Sequence, residues 1–442
     1  MKSKSADIPV ALLVAAAAVM MLFGTAVRAS AEEPVRTLEL QPLIDEALTN
    51  NHDVLVAGAK RQAADARIRQ AGSLPDPMVM VGYQNEGWRQ YTYGQSVDAQ
   101  WMFSVSQMFP FPGKRAIKEQ MASRDADTAG AMQSAARLAT EQRVKELYYD
   151  LFQVHKDLDL IRERTSLFSR IEEAALARYA SGTGPQQEVL MAQTEKYMLL
   201  ERETMLNQKR RSLEAMLIAA VGRQYSAPLG RPAEPAATPF AVEVEELVRQ
   251  ALERSPEVLS RQKMAGASTA GVHMAQKEFY PDVTVTGSVF TRPGEYQDMW
   301  SLTATFNIPL YYNARQSQAL AEARAMSLSA EHDLEGVRSM VASAVRDNYA
   351  MIRSADALMN LYREGLLPKT VQDFELSLAG YRSGKVEEIT ALSRLKALVD
   401  YELAYWAQFV EREKAIARIE ALTGGGNPPA AQGEQHEHQE QK

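Results

Sequence analysis

Between Arg115 and Tyr179 the chain carries no proline and a single glycine, Gly130, while Leu147, Leu151, Val154, Leu158, Ile161 and Phe168 recur at steps of four and three. That spacing is a coiled-coil seam and predicts one unbroken helix ending in LARYASGTGP, residues 176–185. At ~1.5 Å per residue such a rod reaches about 100 Å, several times the length of an ordinary globular helix. A second copy is predicted from Ala314 to Tyr381, ending in LAGYRSGKVE at residues 378–387, so that Tyr179 and Gly182 correspond to Tyr381 and Gly384.

Two shorter helices, Leu38 to Asn50 and Val54 to Ala71, precede the first rod, and Pro75 and Pro77 stop the second of them. The period then changes to two. Met78 to Asn85 is a strand with imperfect alternation. Val97 to Ser106 is a clear one, with Val97, Ala99, Trp101, Phe103 and Val105 on one face and Asp98, Gln100, Met102, Ser104 and Ser106 on the other. The aromatic, turn-prone EGWRQYTYG between them makes the pair a hairpin. Pro110, Pro112 and Gly113 in QMFPFPGKR end the strand and open the rod. Past a turn at Ser181–Pro185 a helix returns over Gln187 to Val221, carrying Val189, Leu190, Met198, Leu199, Leu206, Leu213 and Leu217. Pro228, Pro232, Pro235 and Pro239 then mark a stiff linker.

This order repeats. LIDEALTNNHDVL at 43 matches LVRQALERSPEVL at 247; Pro75 of SLPDP matches Pro281 of FYPDV; Gly222 matches Gly424. The offsets are 204, 206 and 202 residues, too constant for chance similarity among helices. The boundaries are therefore read as a first repeat over 32–225, a linker over 226–242 and a second repeat over 243–424. In the second repeat Val283, Val285, Gly287 and Val289 alternate with Thr284, Thr286 and Ser288, and Trp300, Leu302, Ala304, Phe306 and Ile308 with Ser301, Thr303, Thr305 and Asn307. Strands of about ten residues with one apolar and one polar face suit a barrel with lipid outside and water inside. Four strands do not close a barrel, and open edges are not tolerated in lipid, so several chains must share it.

Residues 1–31 pair Lys2 and Lys4 with an apolar run from Ile8 to Phe23 and an Ala29-Ser30-Ala31 cleavage site, the pattern of a secretory signal peptide. The chain has no cysteine, which excludes disulfides, thiolate metal sites and a lipid-bearing cysteine. A formal charge of -7 gives no footprint for nucleic acid. The tail over 425–442 lacks large apolar residues and is expected to be disordered; its His436 and His438 read as part of that tail. His52, His155, His273 and His332 form no metal-ligand spacing, and the 20 methionines form no regular ladder along the sequence, although thioethers suit Cu(I) or Ag(I). With no phosphate loop and no nucleophile–base pair, neither a cofactor nor catalysis is expected.

The signal sequence, the duplicated helix–hairpin–rod order, SLPDP and FYPDV, QMFPFPGKR and the paired Tyr-x-x-Gly turns together resemble the TolC-type outer-membrane efflux channel family over residues 38–424. The resemblance implies an α+β membrane protein: a homotrimer with a shared outer-membrane β-barrel of four strands per chain, continued into the periplasm by a tunnel of long antiparallel coiled-coil helices. It implies a passive exit duct that meets a periplasmic adaptor and an inner-membrane transporter, with QMFPFPGKR most similar to members serving heavy-metal transporters. It places a gate at the helix turns, with Tyr381 as the gating tyrosine, Glu188 as its acidic partner, and Tyr179, Gly182 and Gly384 at adaptor-contacting tips where small residues let another backbone approach. Thr390 and Ser393 stand where the family narrows its pore with aspartates, and Val386 where it has a gating arginine; any acidic ring then falls to Glu387 and Glu388. Multidrug or protein export is the alternative cargo, and a secreted coiled-coil scaffold without a pore the alternative class.

Overall fold

A computed structural model describes residues 37–224 and 229–425. The expected signal peptide, the His436 and His438 tail and the first linker residues fall outside that range. After a two-residue strand β1 (Thr37–Leu38), helices α1 (Leu40–Asn50) and α2 (His52–Gly72) lead into strands β2 (Met78–Gln84) and β3 (Gln100–Phe109), the rod α3 (Lys114–Ala180) and the returning α4 (Gln186–Val221). Past the short strand β4 (Arg231–Pro232), the order recurs. It runs through α5 (Val244–Arg254), α6 (Pro256–Lys277), β5 (Val283–Thr291), β6 (Met299–Phe306), α7 (Gln316–Asn360), a π-helical segment Leu361–Leu366, α8 (Leu367–Arg382) and α9 (Glu388–Leu422).

The rod α3 has 67 residues, so it is about 100 Å long. All six seam residues are buried. Leu147, Leu151, Val154 and Leu158 pack with Leu43, Ile44 and Ala47 of α1, Leu213 and Leu217 of α4, and Phe409 and Val410 of α9. Nearer the turns, Ile161 and Phe168 join Tyr381, Leu392 and Leu395. Helices of both repeats therefore share one seam. Of the apolar residues carried by the returning helix, Leu190 and Met198 stand 55% and 47% exposed on the outside of α4.

The second rod departs from the single helix expected between Ala314 and Tyr381. It begins at Gln316 and widens into the π-helical segment just before Pro368. Proline has no amide hydrogen, and its ring collides with the carbonyl four residues back, here that of Glu364. The wider turn accommodates both defects while the helix continues.

The four long strands form one antiparallel sheet in the order β2-β3-β5-β6, leaving β2 and β6 as edges. Val97 and Asp98 lie in a turn rather than in β3, because the Asp98 amide donates to Ser96 Oγ at 3.2 Å and the Ala99 amide to the Ser96 carbonyl. At its other end β3 runs on to Phe109, which pairs with Val283, whereas β6 stops at Phe306, before Asn307 and Ile308. Pairing aligns the faces across all four strands: Val81, Phe103, Val289 and Trp300 form one row of the apolar side, and Met80, Ser104, Ser288 and Ser301 one row of the other. On the second side Ser106 and Thr286 hydroxyls hydrogen-bond at 3.0 Å.

The sheet is fixed to the rods by the residues of QMFPFPGKR and FYPDV. Lys114, 3% exposed, donates to the Tyr280 carbonyl and to Asp282 at 3.0 Å, while Asp282 also accepts the Phe111 amide at 2.7 Å and the Phe111 and Tyr280 rings stack at 4.5 Å. The linker is no free spacer where described. β4 pairs in parallel with β1, Tyr148 Oη donates to the Leu38 and Ala233 carbonyls, and Thr238 donates through its amide and hydroxyl to the buried Glu413. Gly222 and Gly424 end α4 and α9 with φ of +80° and +89°, and a Cβ there would meet the carbonyl oxygens of Asn50 at 2.6 Å and Arg254 at 3.0 Å.

Candidate functional site

The two rods turn at equivalent places, α3 into α4 over Ser181–Pro185 and α8 into α9 over Ser383–Glu387. Each turn is closed by a residue in the left-handed region, Gly182 at φ +70° and Gly384 at φ +72°. At Gly182 nothing of the chain lies within 4 Å of an added Cβ, so the backbone conformation demands glycine here, and the expected close approach of another backbone is not found within the chain. Tyr179 is 49% exposed beside this turn.

The turns meet through Tyr381, which is fully buried. Its hydroxyl donates to Glu188 Oε2 at 3.2 Å, joining the end of α8 to the first turn of α4. Arg178 completes the cluster. Its Nε lies 3.4 Å from the same Glu188 oxygen but out of line for a hydrogen bond, its guanidinium sits over the Tyr381 ring at 5.1 Å, and Nη1 donates to the Tyr381 carbonyl at 3.4 Å. Burial, followed by the charge of Glu188, raises the Tyr381 hydroxyl well above its ordinary pKa, so the tyrosine is a donor at any physiological pH.

Glu388 opens α9 facing inward. It is 1% exposed, and neither carboxylate oxygen has a hydrogen-bond partner among the described residues. Burial first, and then the neighbouring charge of Glu188, push its pKa up to about 7, with Arg178 pulling the other way. The expectation that Glu387 and Glu388 together line an acidic mouth is therefore corrected: Glu387 is exposed, whereas Glu388 belongs to the buried cluster with Tyr381 and Glu188. Of the positions where the family's aspartates were expected, Thr390 is half-buried and Ser393 exposed, its hydroxyl turned back to the Ile389 carbonyl at 2.6 Å.

Arg178 was missed because its counterpart in the second repeat is Gly380. The two turns exchange large and small residues: Gly184 leaves room for the Arg178 stem, where an added Cβ would lie 3.1 Å from Arg178 Cβ, and Gly380 leaves room for Val386, whose Cγ2 would be 2.5 Å from an added Cβ. Val386 thus fills a gap, and the guanidinium of the cluster comes from the other turn. The pairing of LARYASGTG with LAGYRSGKV carried that signal. Elsewhere, His52, His155, His273 and His332 fall on four different helices, and among the described residues no three His, Asp or Glu side chains gather as a metal-holding group.

A sheet with one apolar and one uncharged polar face, continued by helices about 100 Å long, has the build of a channel wall passing from a membrane into water. Residues 43–223 and 247–425 match the family described as Outer membrane efflux protein, and the chain belongs to that family. It is similar to the outer membrane protein OprJ of Pseudomonas aeruginosa, 23% identical over 88% of this chain and 84% of that one. It is also similar to the cobalt-zinc-cadmium resistance protein CzcC of Cupriavidus metallidurans, 20% identical over 89% of this chain and 91% of that one. Its fold matches that of the outer membrane protein VceC of Vibrio cholerae with a TM-score of 0.74, at 19% identity, over 88% of this chain and 97% of that one. The chain is an outer membrane efflux protein whose strand sheet is continued by long helices.

Proposed function

We propose that three copies of this chain close one barrel and one tunnel, forming the passive exit duct of a tripartite pump. The observation that carries this reading is the pair of unpaired edges, β2 and β6, on a sheet whose apolar face is open. In lipid each unsatisfied backbone group costs several kcal/mol, and the edge of a neighbouring copy satisfies it. The exposed Leu190 and Met198 flank of α4 is then covered by the next copy.

The helix turns form the periplasmic end in this reading. Tyr179, Gly182 and Gly384 meet the adaptor, the Tyr381–Glu188 contact with Arg178 and Glu388 holds the end closed, and Glu387 offers its charge to arriving cations. An inner-membrane transporter supplies the cargo. Metal ions are the cargo class supported by the likeness to CzcC, which extends over 89% of the chain. Multidrug cargo is the second reading, favoured by the water face of the strands, which among the described residues carries no charged side chain to select ions by charge.

The test is fractionation followed by native mass determination. A trimer recovered from outer membranes in detergent is expected. Recovery as a soluble periplasmic protein would instead favour a coiled-coil scaffold without a pore. Metal cargo is tested separately, by the accumulation of zinc, cadmium and copper in cells carrying the complete pump with and without this chain.

A further inference from the structure

Methionines show no order along the sequence, yet strand pairing gathers five of them on the water face of the sheet. Met108 lies level with Thr284 and Thr305; Met78 with Ser106, Thr286 and Thr303; Met80 with Ser104, Ser288 and Ser301; Met102 with Gly82, Phe290 and Met299. These are successive levels along the strand axis, each about 7 Å from the next. Every one of them carries a thioether.

Packing within the chain engages Met102 and Met108, which are half-buried, but not the other three: Met78, Met80 and Met299 are 65%, 50% and 43% exposed. Met78 and Met80 line one free edge of the sheet and Met299 the other. Closing the barrel with further copies sets β6 of one chain beside β2 of the next, about 5 Å away, so the Met299 edge adjoins the Met78 and Met80 edge. The remaining residues of this face are chiefly Ser, Thr and Gln, without a carboxylate or imidazole. Hard and borderline cations find no charged or nitrogen ligand there, whereas soft cations find sulfur.

We propose that these thioethers form a ladder inside the barrel that binds soft monovalent metal ions, Cu(I) or Ag(I), and passes them from level to level. The proposal rests on the reading that this face lines the water-filled duct. It narrows the cargo to soft metal and assigns residues that touch it. Uncharged sulfur ligands bind without a compensating carboxylate, which suits an ion that has to leave again.

The test uses the full-length protein and a fourfold variant, Met78→Leu, Met80→Leu, Met102→Leu and Met299→Leu, in which thioethers are replaced at nearly constant volume. In planar bilayers with nitrate electrolyte, micromolar Ag+ is expected to interrupt the single-channel current of the unaltered protein. The variant should need about tenfold more, and Zn2+ should affect neither. Equal Ag+ responses would overturn the ladder. Ag+ binding to detergent-solubilised protein, counted by mass spectrometry of the metal, gives a readout independent of channel formation. The variant should lose about one Ag+ per chain or more, and an unchanged count overturns the proposal. A protein that loses Ag+ on substitution yet never conducts would contradict the duct reading alone.

Discussion

Tyr381 and Glu188 stand 193 positions apart in the sequence, and the tyrosine hydroxyl donates to the carboxylate at 3.2 Å where the two helix turns meet. Each repeat supplies one partner, so the bond ties the second turn to the first. Arg178 and Glu388 bear on the same contact with opposite charge: the guanidinium neutralises Glu188, and a deprotonated Glu388 repels it. If this contact holds the end closed, as proposed, protonation of Glu388 is expected to favour closure.

The sign of that shift follows from Glu388. Its carboxyl is pushed from the ordinary 4.5 up to about 7 by burial and by Glu188. A raised carboxyl pKa favours the buried arrangement fully below the ordinary value and progressively less as pH rises toward the shifted one. Open probability in planar bilayers is expected to rise as pH goes from about 4.5 to about 7. Glu388→Gln should flatten the profile at its acid-side level, because glutamine stays neutral. An unaltered pH profile in that variant would remove Glu388 from the balance.

The faces of the sheet are tested by adjacent residues on β6. Leu302 is on the apolar side, level with Gly287 and Val105, and Thr303 on the polar side, level with Thr286 and Ser106. Leu302→Asp places a charge against lipid, a cost below the ~2–4 kcal/mol of an arginine or lysine at mid-membrane depth, and should lower the yield of inserted protein. Thr303→Asp should insert normally. Trp101→Asp, on the apolar side of β3, should behave like Leu302→Asp. Equal yields of the three would mean that the sheet is not in lipid, and a loss confined to Thr303→Asp would mean that the faces are reversed.

The matched glycines at the ends of α4 and α9 predict a stability effect far from the turns. Gly222→Ala and Gly424→Ala each combine a positive φ with a carbonyl in the way, and should destabilise by about 1–3 kcal/mol, read as a lower thermal midpoint. Gly266→Ala lies inside α6 with nothing within 4 Å, and should instead raise the midpoint through a gain of about 0.5–1 kcal/mol.

Much of this was legible because long-period patterns are written locally. The Leu147-to-Phe168 spacing gave α3 to within a residue at each end, and the constant offset between repeats matched Gly222 with Gly424 before either was seen to meet a carbonyl. What escaped depends on contacts between distant segments. The π-helical segment before Pro368 answers a local clash, but propensity does not say whether a proline ends a helix or is absorbed by it. Arg178 acts on a tyrosine from the other repeat, and Glu388 is buried only because the turns pack together. The methionine ladder exists only once pairing has aligned four strands.

The central claim is that this chain forms a channel held closed at its helix turns, and single-channel conductance in a planar bilayer tests it most directly. The Tyr381–Glu188 hydrogen bond is charge-assisted, worth ~1.5–3 kcal/mol, and in the proposed assembly it recurs in every copy. Unaltered protein should show a small conductance, and Tyr381→Phe combined with Glu188→Gln should raise it several-fold while the protein remains inserted and assembled. Equal conductance in the two proteins would contradict closure by this contact, and no conductance in either would contradict the channel itself.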